Sequence, residues 1–183
     1  MNYALASTLG KLQTQVYWLH DAEKFDELAE TVAKLYHNLG YEQKQAEIAG
    51  GLISKAYQLA DEAELARKAD LIDVEIQFYN QAKENFLQVE NTLGLQKSIA
   101  EYQMKWWIYF RHRNYIKIML NLFFQHFKQL GFINVFTAIK LTYYMLQICN
   151  AHNQRNIELS NKNTTKYWTL LLKYHPQNCP YIG

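Results

Sequence analysis

Four residues near the end of this chain have the chemistry of a metal site: Cys149 and His152, then His175 and Cys179. Thiolate sulfur and imidazole nitrogen are the ligands that tetrahedral zinc takes, and short spacings of this kind suit it. The expected helices place them badly. Cys149 and His152 close one helix, while His175 and Cys179 follow the end of the next, read over 164–174. In an antiparallel hairpin the pairs then stand about 16 Å apart, the length of that helix, and no zinc ion bridges such a gap. No metal and no other cofactor is expected.

From Lys105 to Lys117 basic and aromatic residues interleave, with Trp106, Trp107, Tyr109 and Phe110 among Lys105, Arg111 and Arg113. Such a surface can hold phosphates while its rings stack on bases. The same spacing sets Tyr102, Trp106, Tyr109 and Arg113 along one helical face, which is the ordinary form of a core stripe. Enzyme patterns are missing. No Glu is followed three places on by His, and there is no His-Glu-x-x-His, phosphate-cradling glycine loop or Gly-x-Ser-x-Gly elbow. The acidic groups Glu27 with Glu30, and Asp61, Glu62 and Glu64, fall on polar helix faces. His20, His37, His112, His126, His152 and His175 are scattered, with no paired acid or nucleophile evident along the chain. The reading is therefore non-enzymatic.

The elements that must position any site follow from composition. With 183 residues, 49% hydrophobic and 20% charged, the chain can bury one core, so a single domain over 1–183 is expected. Proline occurs only at Pro176 and Pro180, which favours long helices. The charge is unevenly placed. Residues 1–94 hold 8 Lys and Arg against 15 Asp and Glu, a net of −7, while 95–183 hold 11 against 2, a net of +9. An acidic half thus precedes a basic, aromatic half, and partners of opposite sign are steered to different surfaces. Two cysteines make no disulfide framework, which fits a reducing compartment and a cytoplasmic location. The opening residues lack the basic start of a secretory signal. The most apolar window, Leu130 to Cys149, contains Lys140 and polar residues and reads as buried helix, so no membrane partner is expected.

Hydrophobic spacing predicts eight helices in four antiparallel hairpins, an all-α chain without strands. Leu5, Leu9, Leu12, Val16 and Leu19 share one face of the first helix, and Phe25, Leu28, Val32, Leu35 and Leu39 one face of the second, with Asp21 as its cap. A third helix starts near Glu42 and carries Ala46, Ile48, Leu52, Ala56 and Leu59, with Gly50 and Gly51 inside it, where close approach of another helix is the expected reason. A fourth, from about Ile72 to Leu93, reads as the longest. Further helices are expected over 98–112, 115–130, 135–150 and 164–174, with the Asn-rich run 150–163 as a loop and cap.

Three even-numbered helices end alike, at Leu39-Gly40-Tyr41, Leu93-Gly94-Leu95 and Leu130-Gly131-Phe132. Their spacing suits helix-turn-helix repeats. With Leu9, Gly10, Ala22 and Ala29 in the first hairpin, and Trp168, Leu171 and Pro176 in the last, the chain resembles the tetratricopeptide-like superfamily of helical repeats. Asp26 and Lys34 stand where that family places an aromatic and a proline, so the repeat type departs from the pattern; an irregular helical bundle is the alternative. The resemblance implies a right-handed superhelix whose concave groove binds a peptide or protein. The side chains it points to are Lys105, Arg111, Arg113, Lys140, Tyr143 and Tyr144. The expected function is a binding scaffold or regulator, with an acidic protein or peptide segment as first partner. Nucleic acid at the basic half, an inhibitor or immunity-type role for the acidic half, and a head-to-tail homo-oligomer are the alternatives.

Overall fold

A computed structural model describes residues 3–94, 115–129 and 135–174, and among them every regular element is a helix. The seven are α1 (Tyr3–Asp21), α2 (Phe25–Asn38), α3 (Gln43–Lys68), α4 (Ile72–Leu93), α5 (Tyr115–Gln129), α6 (Val135–Asn153) and α7 (Ile157–Tyr174). The helix expected over 98–112 lies outside the described residues. So do Lys105, Arg111 and Arg113.

Short turns force neighbouring helices antiparallel, and one device makes most of them. At the ends of α1, α3 and α6 a single residue turns left-handed: Glu23 at φ 56°, Asp70 at φ 57° and Arg155 at φ 54°. In each case the next N–H reaches back five residues, from Lys24 to the Leu19 carbonyl, Leu71 to Ala66 and Asn156 to Ala151, each at 2.9 Å. This is the Schellman closure of a helix C-terminus, and the following helix starts at once. Gly40, at φ 102°, makes the same closure between α2 and α3, with Tyr41 N–H on the Tyr36 carbonyl. The repeated unit is thus the tight turn itself. It is carried mostly by residues other than glycine.

Packing follows sequence within each part, α1 on α2, α2 on α3 and α3 on α4, then α5 on α6 and α6 on α7. Among the described residues the most extensive contact that joins them is α1 on α7, and beside it Asp21 of α1 meets His152 of α6. The order in space is therefore α4, α3, α2, α1, α7, α6, α5. A superhelix stacked in chain order holds its first and last helices at opposite ends; here the first and last described helices lie side by side.

The α2–α3 contact shows how close the helices come. The expected stripe of α3 is displaced: Ile48 is exposed and Leu52 only partly buried, while Ala46, Ala49, Ala56, Ala60 and Ala63 are buried with Ile53 and Tyr57. Small residues let both α2 and α4 pack closely on α3. A Cβ on Gly50 would run into the carbonyl oxygen of Ala29, whereas one on Gly51 would meet nothing within 4 Å. Close approach thus explains Gly50 alone. The longest described helix is α3, at 26 residues against 22 for α4.

Three further expectations are corrected. Residues 150–163 are helical except for the turn at 154–156, because Asn156 caps α7 through its Oδ1, 3.0 Å from the Leu159 N–H, and the polar Ser160, Asn163 and Thr164 are buried. Asp21 does not cap α2; Lys24 holds that position, and Asp21 pairs with His152 at 2.8 Å. The apolar window in α6 is only half buried, since Phe136, Ile139 and Tyr143 are exposed. No described helix is long and apolar enough to cross a membrane.

Between α5 and α7, His126 Nε2 lies 2.9 Å from the Tyr167 hydroxyl, and the imidazole is fully enclosed. Burial pushes its pKa down from 6.5 to about 4. Below the unfolded value the unfolded chain binds a proton that the folded one refuses. Stability from this group is therefore complete above pH 6.5 and falls as pH drops toward 4, at about 1.4 kcal/mol per pH unit and about 3 kcal/mol in all. Denaturant titrations at stepped pH should show this fall in the wild type, and His126→Gln should flatten it. The exposed Arg155 offers a second test. Relief of the left-handed penalty, about 1–2 kcal/mol, exceeds the added backbone entropy of glycine, about 0.5–1 kcal/mol, so Arg155→Gly should raise the unfolding midpoint by about 2 °C.

Candidate functional site

The surface that stands out is built on the α1–α7 seam. Gly10 sits at its centre, where an added Cβ would fall 2.8 Å from the Thr165 backbone nitrogen and 2.9 Å from Thr164 Oγ1. Around it the buried contacts are polar and matched. Trp168 Nε1 donates to Gln13 Oε1 at 2.7 Å, and Gln13 Nε2 donates to the Tyr17 hydroxyl at 2.6 Å. The hydroxyls of Thr14 and Ser160 share a hydrogen bond at 3.1 Å. From Gly10 against Thr165, through Thr14 against Ser160, to Asp21 against His152 just before α7, positions rise along α1 as they fall along the chain opposite, so the two helices are antiparallel in one fixed register.

With that register set, the outer edge of the seam and α6 border an open groove of about 720 Å³. Five lysines line it: Lys11 from α1, Lys140 from α6, and Lys162, Lys166 and Lys173 from α7. Glu158 is the one carboxylate among the lining residues. Tyr3, Tyr144 and Leu170 add apolar surface, and Ser7, Asn161, Thr165 and Thr169 add polar groups. The α7 residues from Glu158 to Lys173 recur every three or four positions, so they form one helical face about 22 Å long. The chemistry is that of an anion-binding groove with room for side chains.

Of the residues expected to contact a partner, Lys140 and Tyr144 line this groove. Tyr143 is exposed beside Tyr144, ring centroids 6.0 Å apart, but does not line it. The α7 lysines are not among the expected partner residues. Lys162 and Lys166 carry a visible i, i+4 spacing, hidden by reading their start as loop; Lys11 belongs with them only through the fold.

Other constellations assemble differently from their sequence form. His20 Nε2 lies 3.0 Å from both Asp61 carboxylate oxygens, and His152 Nε2 2.8 Å from Asp21. The second pair sets Asp21 beside His152, which shares α6 with Cys149 three positions earlier, so the residue types of a thiol-based catalytic triad occur together. The geometry does not complete one. Burial pushes the Cys149 thiol up to about 12, so almost none is thiolate at neutral pH, and His152 Nδ1 is buried with no hydrogen-bond partner. Of the metal-site candidates only Cys149 and His152 are described, and α7 after them spans 18 residues, about 27 Å. His175 and Cys179 lie outside the described residues, and among those described no three metal-binding side chains gather. No protein-family model, curated protein or solved structure matches the chain.

The seam gives a paired test. Gly10→Ala must push α7 away from α1 and should cost about 1–3 kcal/mol. Gly51→Ala, facing open space in mid-helix, should instead stabilise by about 0.5–1 kcal/mol. Chemical denaturation of both variants reads the two signs directly.

Proposed function

We propose that this protein is a non-enzymatic binding module that holds an acidic segment of a protein partner in the groove between α1, α6 and α7. The observation that carries this reading is the concentration of five lysines against one carboxylate around one concave surface. An extended segment of about seven residues spans the 22 Å face, at about 3.3 Å per residue. Lysines steer such a segment in and pair with its carboxylates, while Tyr3, Tyr144 and Leu170 take its apolar side chains. Glu158 favours a protein segment, which can answer it with a cation, over a uniformly anionic nucleic-acid backbone. Of the tetratricopeptide-like resemblance, this reading keeps the paired antiparallel helices and sets aside the open superhelix, since the groove lies where the first helix meets the last. Scaffold and regulator are the roles such a module serves.

The test is anisotropy of a fluorescent peptide of mixed Glu, Asp and Leu. Lys162→Glu with Lys166→Glu, both at exposed positions, should weaken binding at least about tenfold with helicity unchanged, and added salt should weaken the wild type. Equal binding by wild type and variant would overturn the reading. Preferential binding of a single-stranded oligonucleotide, falling steeply with salt, would replace it with the nucleic-acid alternative.

A further inference from the structure

We infer that the groove receives a second copy of this chain, which docks the outer end of its α3–α4 hairpin there, so that copies associate head to tail. This rests on the groove taking an acidic protein surface, as proposed above, and names a folded hairpin end in place of an extended segment.

The α3–α4 turn has the properties such a surface needs. Leu65, Leu71, Ile72, Val74 and Ile76 surround it, between 36% and 66% exposed. Large apolar side chains grouped this way mark interaction surfaces. Exposed Glu62, Asp70 and Asp73 stand among them. The cations nearby are already engaged by Glu64, which accepts from Arg67 at 2.7 and 3.0 Å and lies 3.9 Å from Lys68. What the turn offers is therefore apolar surface rimmed with negative charge. The groove offers the complement, apolar rings and Leu170 rimmed with lysine. Sizes agree as well: the end of a two-helix hairpin is about 20 Å wide, against about 22 Å for the groove.

One copy cannot fill its own groove. The groove takes Tyr3, Ser7 and Lys11 from the N-terminal half of α1. The His20–Asp61 contact ties the other end of α1 to α3, and α3 runs on about another 14 Å from Asp61 to reach the turn. The two surfaces thus lie toward opposite ends of α1. Two different, complementary patches on one chain make a heterologous contact, which continues from copy to copy unless it closes into a ring.

Sedimentation velocity over a concentration series decides the matter, with two variants altered at exposed positions: Lys162→Glu with Lys166→Glu, which spoils the groove, and Ile72→Lys with Ile76→Lys, which spoils the knob. At about 50 mM salt the wild type should grow with concentration past two copies, and at about 500 mM it should dissociate. Each variant alone should be monomeric. An equimolar mixture should form a species of two copies and no larger, because each variant keeps the surface its partner lacks; that complementation also shows both are folded. A wild type that stays monomeric, a variant that still associates alone, or a mixture that does not pair would overturn the inference. The acidic-peptide assay separates the two levels: peptide binding by a strictly monomeric wild type removes self-association and leaves the groove reading standing, while failure of both removes both.

Discussion

The packing of α1 against α7 is the constraint on which the rest of the structure depends. Among the described residues it is the one extensive contact that joins the N-terminal run of helices to the C-terminal run. Its core is polar and enclosed. A buried hydrogen bond contributes about 1 kcal/mol net, but a buried donor or acceptor stripped of its partner costs about 1–3 kcal/mol. Gln13 must therefore meet Trp168, and Thr14 must meet Ser160, or the seam loses more than it gains. Such contacts select one register, whereas a purely apolar seam tolerates sliding. Gly10 supplies the other condition, since backbones this close leave no room for a side chain.

The register in turn creates the groove. Lysines from three helices converge there only because α1 and α7 run antiparallel with Gly10 opposite Thr165. The division of charge along the chain is not the division in space. Lys11 belongs to the acidic half by position, yet it stands with the lysines of the basic half. The acidic surface that remains is concentrated away from this edge, on the helices beyond α1. Among the described residues a lysine-lined concavity and the acidic, apolar α3–α4 turn therefore stand apart.

The turns tie these features to the backbone. A left-handed residue at Glu23, Asp70 or Arg155 ends one helix, and the next begins within three residues, so the local turn itself favours antiparallel pairing. The Leu-Gly endings belong to a different set of junctions, and only Gly40 among them makes the same closure within the described residues. A glycine announces a left-handed position; Glu and Arg do not, because their left-handed conformation is imposed by the surrounding turn and leaves no compositional mark.

The sequence by itself determined that the chain is helical and where most helices run. Hydrophobic periodicity is a local property: Leu9, Val16 and Leu19 in α1, or Leu28, Val32 and Leu35 in α2, declare one buried face within a few turns, and these residues are buried. It misread 150–163 as loop because Ser160, Asn163 and Thr164 look like surface residues until α1 is present to cover them. Only the tertiary structure decided which helices meet, and with that the candidate site. The contacts that settle it join residues 146 and 155 positions apart, between polar partners that leave no periodic trace. Matching an amide to an indole, or lysines on three helices to one concavity, is a property of distance in space, and local spacing along the chain does not carry it.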